Sequence, residues 1–209
     1  MSNPLWTRNI GVRYGVATAA ALAGITVVAV LGLWMGGCAT LKELAALRKV
    51  GFAFDRVSDV ALAGVRLDTI RRYSELSASD AAGILSAVTS QRVPLDLVVH
   101  VRAENPKENS VQARLVDLQW KFFVDDRQAI EGRFSGEKLL PPGTPVDIPV
   151  SVRFDALEFF HTGARDLFEA ALAIGGWGST TKPIRLEVVP TISTELGPIS
   201  YPAPIVLRR

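Results

Sequence analysis

The only thiol in the sequence belongs to Cys38, which follows a long apolar run. A cysteine sulfur can be alkylated, oxidised to a disulfide or bound to a metal. With one cysteine, an intrachain disulfide and a zinc site of the CxxC type are both impossible. Histidine is equally scarce, since His100 and His161 are the only two. These counts argue against most metal-dependent and histidine-based catalytic sites.

The remaining polar side chains offer no recognisable catalytic motif. Asp125 and Asp126 are adjacent, but they follow a predicted strand, and Asp favours turns because its side chain bonds to nearby backbone amides. His100 and His161 have no evident partner, and we interpret each as a surface or structural histidine. No serine stands in a GxSxG elbow. We therefore expect a protein that is not an enzyme and has neither a cofactor nor a metal.

A glycine-rich stretch from Gly175 to Lys182 invites comparison with phosphate-binding loops. Such loops place Lys directly after Gly and before Ser or Thr at the start of a helix. Here Lys182 follows Thr181 and precedes Pro183. We interpret the stretch as a connector, with Trp177 either capping the fold or exposed at a contact.

The charge balance excludes general attraction to nucleic acids. Lys and Arg total 23 against 21 for Asp and Glu, a formal net charge of +2. Arg8 and Arg13 precede Cys38 and no acid does, so the chain from residue 38 onward is neutral. Phosphate backbones are bound through clustered positive charge, and no basic stripe is present. We expect no nucleic-acid partner.

The stretch from Gly15 to Trp34 is apolar or small throughout, with no charge between Arg13 and Lys42. About 20 helical residues span roughly 30 Å, enough for a transmembrane helix and longer than an ordinary signal-peptide core. A transmembrane anchor and a cleaved signal are both compatible with this length.

The sequence after this run, Leu33-Trp34-Met35-Gly36-Gly37-Cys38, resembles the lipobox of bacterial lipoprotein signal peptides. The resemblance implies that residues 1–37 are a signal peptide and that Cys38 carries the lipid anchor. Residues 38–49 would then be a lipidated tether, and residues 50–209 a folded domain. Ala39 and Thr40 replace the Asp that retains such proteins at the inner membrane in enteric bacteria. This family rule favours the periplasmic face of the outer membrane.

Alternating apolar residues predict that the folded domain is built mainly of strands. The clearest alternations cover 95–103, 116–124 and 146–154, and the last contains Pro149, which favours a sheet edge. Ser77 or Ser79 can cap a short helix, and Asp155 can cap a second. About seven short strands predict an all-β, immunoglobulin or fibronectin III-like antiparallel sandwich with one or two short peripheral helices. The aromatic residues expected in its core are Trp120, Phe122, Phe159, Phe160 and Phe168, whereas Phe123 and Val98 are expected to face outward.

Several turn residues in this strand pattern point to a family. An alternating strand ends at Asn105-Pro106, Gly132 follows a second strand, and Pro141-Pro142 precedes the strand that contains Pro149. The pattern resembles the late embryogenesis abundant type 2 family, also called the water stress and hypersensitive response domain. The resemblance extends over residues 50–207, with a departure at a helical insertion around 77–91. It implies a sandwich without catalytic residues, and bacterial members are often lipoproteins.

We therefore expect a lipid-anchored protein of the cell envelope that acts as a binding or stress-protective module, for example during desiccation. Its partners would be the membrane, through acylated Cys38, and an unidentified protein or lipid. The alternative is a carrier subunit for lipids or hydrophobic ligands in an envelope transport assembly, which requires an apolar cavity. A hydrolase is possible only where distant carboxylates converge.

Overall fold

The computed structural model describes residues 50–109, 112–178, 182–194 and 197–209. They belong to the second of two units into which the chain divides, Ala46–Arg209. Within them lie nine strands and three α-helices. The strands are β1 (Gly51–Leu62), β2 (Val65–Arg66), β3 (Pro94–Glu104), β4 (Ala113–Val124), β5 (Arg127–Leu140), β6 (Val146–Asp155), β7 (Ile184–Thr194), β8 (Gly197–Ser200) and β9 (Ile205–Arg208). The helices are α1 (Ala78–Thr89), α2 (Ala156–Phe160) and α3 (Ala164–Gly175).

The strands form two antiparallel sheets, which confirms the predicted all-β sandwich. The first has the order β2-β1-β3-β6, and the second has the order β5-β4-β7-β8, with β9 also paired to β7. The structure has nine strands where the sequence predicts about seven. The count is higher because the two-residue pairing of β2 counts as a strand and because the last predicted strand is divided in two. Pro202 and Pro204 separate β8 from β9 there, since proline has no N–H for the ladder.

The core lies between the two sheets. Strand β3 shows how the sequence pattern determines which side chains enter the core. The alternate residues of β3 from Leu95 to Ala103 are all buried, as their period of two predicts. On β4 the period is interrupted by a bulge between Leu115 and Asp117. The extra residue leaves Val116 half-buried, although the alternation places it inward, and it brings Leu115 into the core beside Leu118.

Side chains cap the first two helices as the sequence predicts. Ser77 Oγ accepts a hydrogen bond from the Asp80 backbone N–H at the start of α1, and Asp155 accepts from the N–H groups of Leu157 and Glu158 at the start of α2. The apolar stripe after Asp155 predicts one helix. The structure has two, because His161 adopts a left-handed conformation with φ of 54° and ends α2.

Helix α3 is buried rather than peripheral. All residues from Leu167 to Gly175 except Glu169 are buried, and the helix packs against β1, α1 and α2. A short 3₁₀ turn, Tyr73–Glu75, covers it from outside, with the rings of Tyr73 and Phe168 meeting edge to face at 5.5 Å. Small residues such as Ala170 and Ala171 allow this close approach on several sides.

An asparagine organises the loop between β3 and β4. Asn105 is fully buried, and its side-chain amide donates to the Leu140 carbonyl at 2.9 Å. Its side-chain oxygen accepts from Asn109 at 2.6 Å, and its backbone carbonyl accepts from the Gly143 N–H at 2.7 Å. These bonds satisfy polar groups that burial would otherwise leave unpaired. The Asn-Pro pair therefore joins the ends of β3, β5 and the loop before β6.

Arg209 closes the carboxyl end of α3. Its guanidinium donates to the carbonyls of Ile174, Ala173 and Lys182 at 2.6, 2.9 and 3.1 Å. Burial lowers the pKa of this guanidinium. A cation at the end of a helix also interacts favourably with the helix dipole. The contact ties β9 to α3 and to the start of β7.

We expect Arg209→Met to lower the free energy of unfolding by about 1–3 kcal/mol, because it removes three hydrogen bonds to backbone carbonyls at the end of α3. The measurement is urea unfolding followed by circular dichroism. Arg208→Met is the matched control, since the neighbouring Arg208 is exposed. Equal stability of the two variants would contradict a role for Arg209 as a cap.

Candidate functional site

The outer face of the four-stranded sheet holds a hydrogen-bonded group of polar side chains centred on His100. Ser58 Oγ lies 2.8 Å from His100 Nε2, and the carboxylate of Asp147 lies 2.7 Å from Nδ1. Asp59 and Arg56 complete the group, which we call the histidine cluster. The His100 residue is only 9% exposed, so these contacts take the place of water.

Strand register brings the histidine cluster together. Ser58 lies on β1, His100 on the central strand β3 and Asp147 on β6. Arg56 is opposite His100 in the β1–β3 ladder, and Asp147 is opposite Arg102 in the β3–β6 ladder. Ser58 and Asp147 are therefore diagonal neighbours of His100 on one face, within reach of long side chains. A bulge between Ser58 and Ala61 then turns Asp59 back toward Ser58.

Two partners of His100 Nδ1 favour opposite tautomers, and we assign the tautomer from the shorter contact. The Asp147 carboxylate, at 2.7 Å, only accepts hydrogen bonds, which places a hydrogen on Nδ1. The Nη2 atom of Arg56, which only donates, lies farther away, 3.1 Å from Nδ1 and 3.7 Å from the Asp147 carboxylate, and has no hydrogen bond to Nδ1 in this tautomer. In the neutral ring, Nε2 is then the acceptor and faces the Ser58 hydroxyl. Ser58 Oγ also lies 2.7 Å from the Asp59 carboxylate, which competes for the same hydroxyl hydrogen.

Two shallow grooves flank the histidine cluster on the same sheet face. One lies beside Asp147 and includes Asp55 and Arg102. The other lies beside Ser58; its lining includes Asp59, Asp96, Val98, Ser151 and Arg153. Arg153 pairs with Asp96 across the strands, and this hydrogen bond raises the pKa of the guanidinium. Both signs of charge are therefore present around the cluster.

A second group of charges and aromatic rings surrounds the hairpin between β4 and β5. Asp125 and Asp126 form its two-residue turn with φ of 49° and 61°, which confirms the turn prediction for both. Lys182 donates to Asp125 at 2.6 Å and lies 5.4 Å from the Phe160 ring centroid. The Arg185 guanidinium covers the outward-facing ring of Phe123 at 3.8 Å. These contacts pair the carboxylates with cations and give the group a structural role.

Other residues selected from the sequence are dispersed. His161 is exposed at the end of α2 and does not belong to the histidine cluster. Trp177 is half-buried, and the Arg71 guanidinium lies 4.7 Å from the centroid of the Trp177 ring. Gly176 ends α3. Of the five aromatic residues expected in the core, Phe160 is half-buried and the other four are buried. Cys38, the apolar run before it and residues 179–181 lie outside the described residues.

Within the part of the chain that the structure describes, no group of His, Cys, Asp and Glu side chains is arranged to hold a metal ion. In the same part, no helix is long and apolar enough to cross a bilayer.

The sequence matches no protein-family model and no curated protein. Solved structures that the chain matches include a protein from Archaeoglobus fulgidus, at 12% identity and a TM-score of 0.35, covering 77% of this chain and 91% of that one. Another is a protein from Arabidopsis thaliana, at 15% identity and a TM-score of 0.40, covering 77% of this chain and 81% of that one. A third was described provisionally as a late embryogenesis abundant protein. It has 15% identity and a TM-score of 0.35, and the match covers 92% of this chain and 88% of that one.

The histidine cluster is the feature that sequence reasoning missed. The alternation placed His100 on the outer face correctly, but its partners lie 42 residues before it and 47 residues after it. Strand register, which a single sequence does not specify, brings them together. The one available signal was that polar residues of three predicted strands share a face with the histidine.

Proposed function

We propose that this protein is a lipid-anchored β-sandwich of the bacterial cell envelope that acts as a binding or stress-protective module of the late embryogenesis abundant type 2 kind. The proposal rests on the lipobox-like sequence around Cys38 and on the family-like strand pattern. It places the folded domain on the periplasmic side, with the outer membrane as the preferred site of anchoring.

The observation that supports a binding module best is the position of the helices. Tyr201 donates to the Val50 carbonyl at 3.4 Å, next to the start of β1. The helices α1, α2 and α3 are connected to the other end of the strands, away from Val50. Helix α2, for example, continues directly from the last residue of β6. The end of the sandwich away from Val50 therefore carries the helical surface that we propose for contact with a partner.

The carrier alternative is less well supported by the packing. It requires an apolar cavity, for which a helix over an open edge of the sandwich would be the lid. Helix α3 is instead packed on several sides by β1, α1 and the 3₁₀ turn. The grooves described beside the histidine cluster lie on an outer sheet face. A bound lipid would overturn this preference.

We expect Cys38→Ser to abolish lipidation and cleavage, because serine has no thiol for the thioether. Native mass spectrometry of the full-length protein, purified from envelopes in mild detergent, measures both. The wild type should start at Cys38 with two or three acyl chains, which anchor stably because each buried methylene contributes about 0.8 kcal/mol. Thr40→Ser is the matched control and should be processed like the wild type.

The same spectra test the function. The lipidated chain alone or with a protein partner supports the proposal, and a co-purified lipid would favour the carrier. An intact Met1 would mean a transmembrane anchor and would contradict the lipid anchor.

The protective role is tested by the survival of a deletion strain after drying and osmotic shock. Survival equal to that of the parent strain would contradict this role.

A further inference from the structure

The arrangement of Ser58, His100 and Asp147 has the order of atoms found in serine hydrolases. The hydroxyl oxygen faces Nε2 at 2.8 Å, and a carboxylate binds Nδ1 at 2.7 Å. Serine hydrolases are recognised by this geometry and not by sequence position. We infer that the histidine cluster is a catalytic site for the hydrolysis of short-chain carboxylic esters. This activity goes beyond the proposed binding function and departs from the expectation that the protein is not an enzyme.

Each residue has a defined role in this site. Ser58 is the nucleophile, and His100 is the base that removes its proton. Asp147 is a positioning residue, because its carboxylate, the shorter of the two contacts to Nδ1, favours the tautomer that carries the hydrogen there and directs the Nε2 lone pair to Ser58. The imidazole is largely buried between the flanking strands, so its orientation is fixed before a substrate binds.

Asp59 restrains the nucleophile. Its carboxylate lies 2.7 Å from Ser58 Oγ, and the hydroxyl has a single hydrogen to donate. When that hydrogen points to Asp59, it is not available to Nε2. Asp59 has φ of 53°, a conformation that Asn also adopts readily. Asp59→Asn therefore replaces the charged carboxylate with a neutral amide, whose oxygen is a weaker acceptor and whose NH2 group can turn toward Ser58, with little change in the backbone.

The groove beside Ser58 indicates the class of substrate. The groove is open to solvent on a sheet face, which suits small substrates. Esters are preferred to amides because an alkoxide leaving group needs less assistance than an amine. Val98 offers an apolar surface for a short acyl chain. The Ser151 hydroxyl and the Arg153 guanidinium, which pairs with Asp96, line the same groove and offer hydrogen-bond donors to a substrate there.

The reaction proceeds in two balanced steps. Ser58 Oγ bonds to the ester carbonyl carbon while its proton moves to His100 Nε2; the bond to the leaving oxygen then breaks, and the alcohol departs with that proton. Water next adds to the acyl carbon and gives a proton to Nε2. The carbon–Oγ bond breaks, Ser58 regains the proton and the carboxylic acid is released.

Labelling with a fluorophosphonate tests the site without a known substrate. This probe forms a phosphorus–oxygen bond with an activated serine and loses fluoride. We expect detergent-solubilised full-length protein to gain one adduct, located by peptide mass spectrometry on Ser58. Asp59→Asn should label at least about threefold faster, and Asp147→Asn at least about tenfold slower. Ser58→Ala should abolish both the adduct and the hydrolysis of p-nitrophenyl acetate, whereas Ser135→Ala, an exposed serine of β5, should change neither.

Thermal unfolding of every variant separates catalysis from folding. A slower rate in an Asp147→Asn protein with an unchanged midpoint supports the positioning role, because loss of structure alone would lower the midpoint. Absence of a Ser58 adduct from both the folded wild type and folded Asp59→Asn would overturn the inference. Ester hydrolysis that persists in Ser58→Ala would overturn it as well.

Discussion

Phe168→Ala should lower the free energy of unfolding by about 3–5 kcal/mol, the range for removing a fully buried phenylalanine. Phe168 has no exposed surface and lies on α3, which packs against β1. Its ring also meets Tyr73 of the covering 3₁₀ turn at 5.5 Å, edge to face. The substitution therefore leaves a cavity at the junction of the helix, the sandwich and the turn.

Urea unfolding of the purified protein, followed by circular dichroism, measures this loss. Leu85→Ala is the matched control, because Leu85 is 58% exposed on α1. Its effect should stay within about 0.5 kcal/mol. Similar effects of the two substitutions would contradict the central place of α3 in the core.

Gly132→Val should destabilise the protein by about 3 kcal/mol through overpacking. Gly132 on β5 is opposite Trp120 on β4, and the indole ring lies over the glycine. A Cβ atom at Gly132 would come within 2.3 Å of the ring carbon Cζ2. The indole is largely buried and cannot turn away freely, so either the two strands or the indole ring must shift.

The matched control is Gly51→Val on β1, where an added Cβ meets only the Glu104 carbonyl oxygen at 3.9 Å. That substitution should be neutral or slightly stabilising, because valine favours strands. In the double variant Gly132→Val/Trp120→Ala, the two losses should be less than additive, since the clash requires both side chains. Strict additivity would contradict the contact as the cause.

The local elements of the fold could be read from the sequence with good accuracy. The alternation of β3 indicated its inward face, Asp155 and one of Ser77 and Ser79 marked helix starts, and Asp125-Asp126 marked a hairpin turn. Each of these signals depends on residues close together along the chain. The burial of α3 had no such signal, because an apolar stripe does not reveal whether one or several elements cover a helix.

The histidine cluster was harder still to predict. Its geometry depends on the register of two strand pairs and on a bulge that displaces Asp59. A shift of one residue in either pair would send the partners of His100 to the opposite sheet face. The bulge at Leu115 had a similar effect on Val116, where the period of two failed. Tertiary pairing therefore decided both the site and the exceptions in the core.

Pro149 has a consequence for how copies of the protein behave when they are crowded together. It lies exposed in the middle of β6, the outermost strand beside β3. An incoming strand needs a continuous row of N–H and C=O groups, and proline interrupts that row. When the protein becomes concentrated, this sheet edge resists the growth of intermolecular β-structure. The sandwich can thus remain a separate particle under conditions in which an open edge would nucleate aggregates.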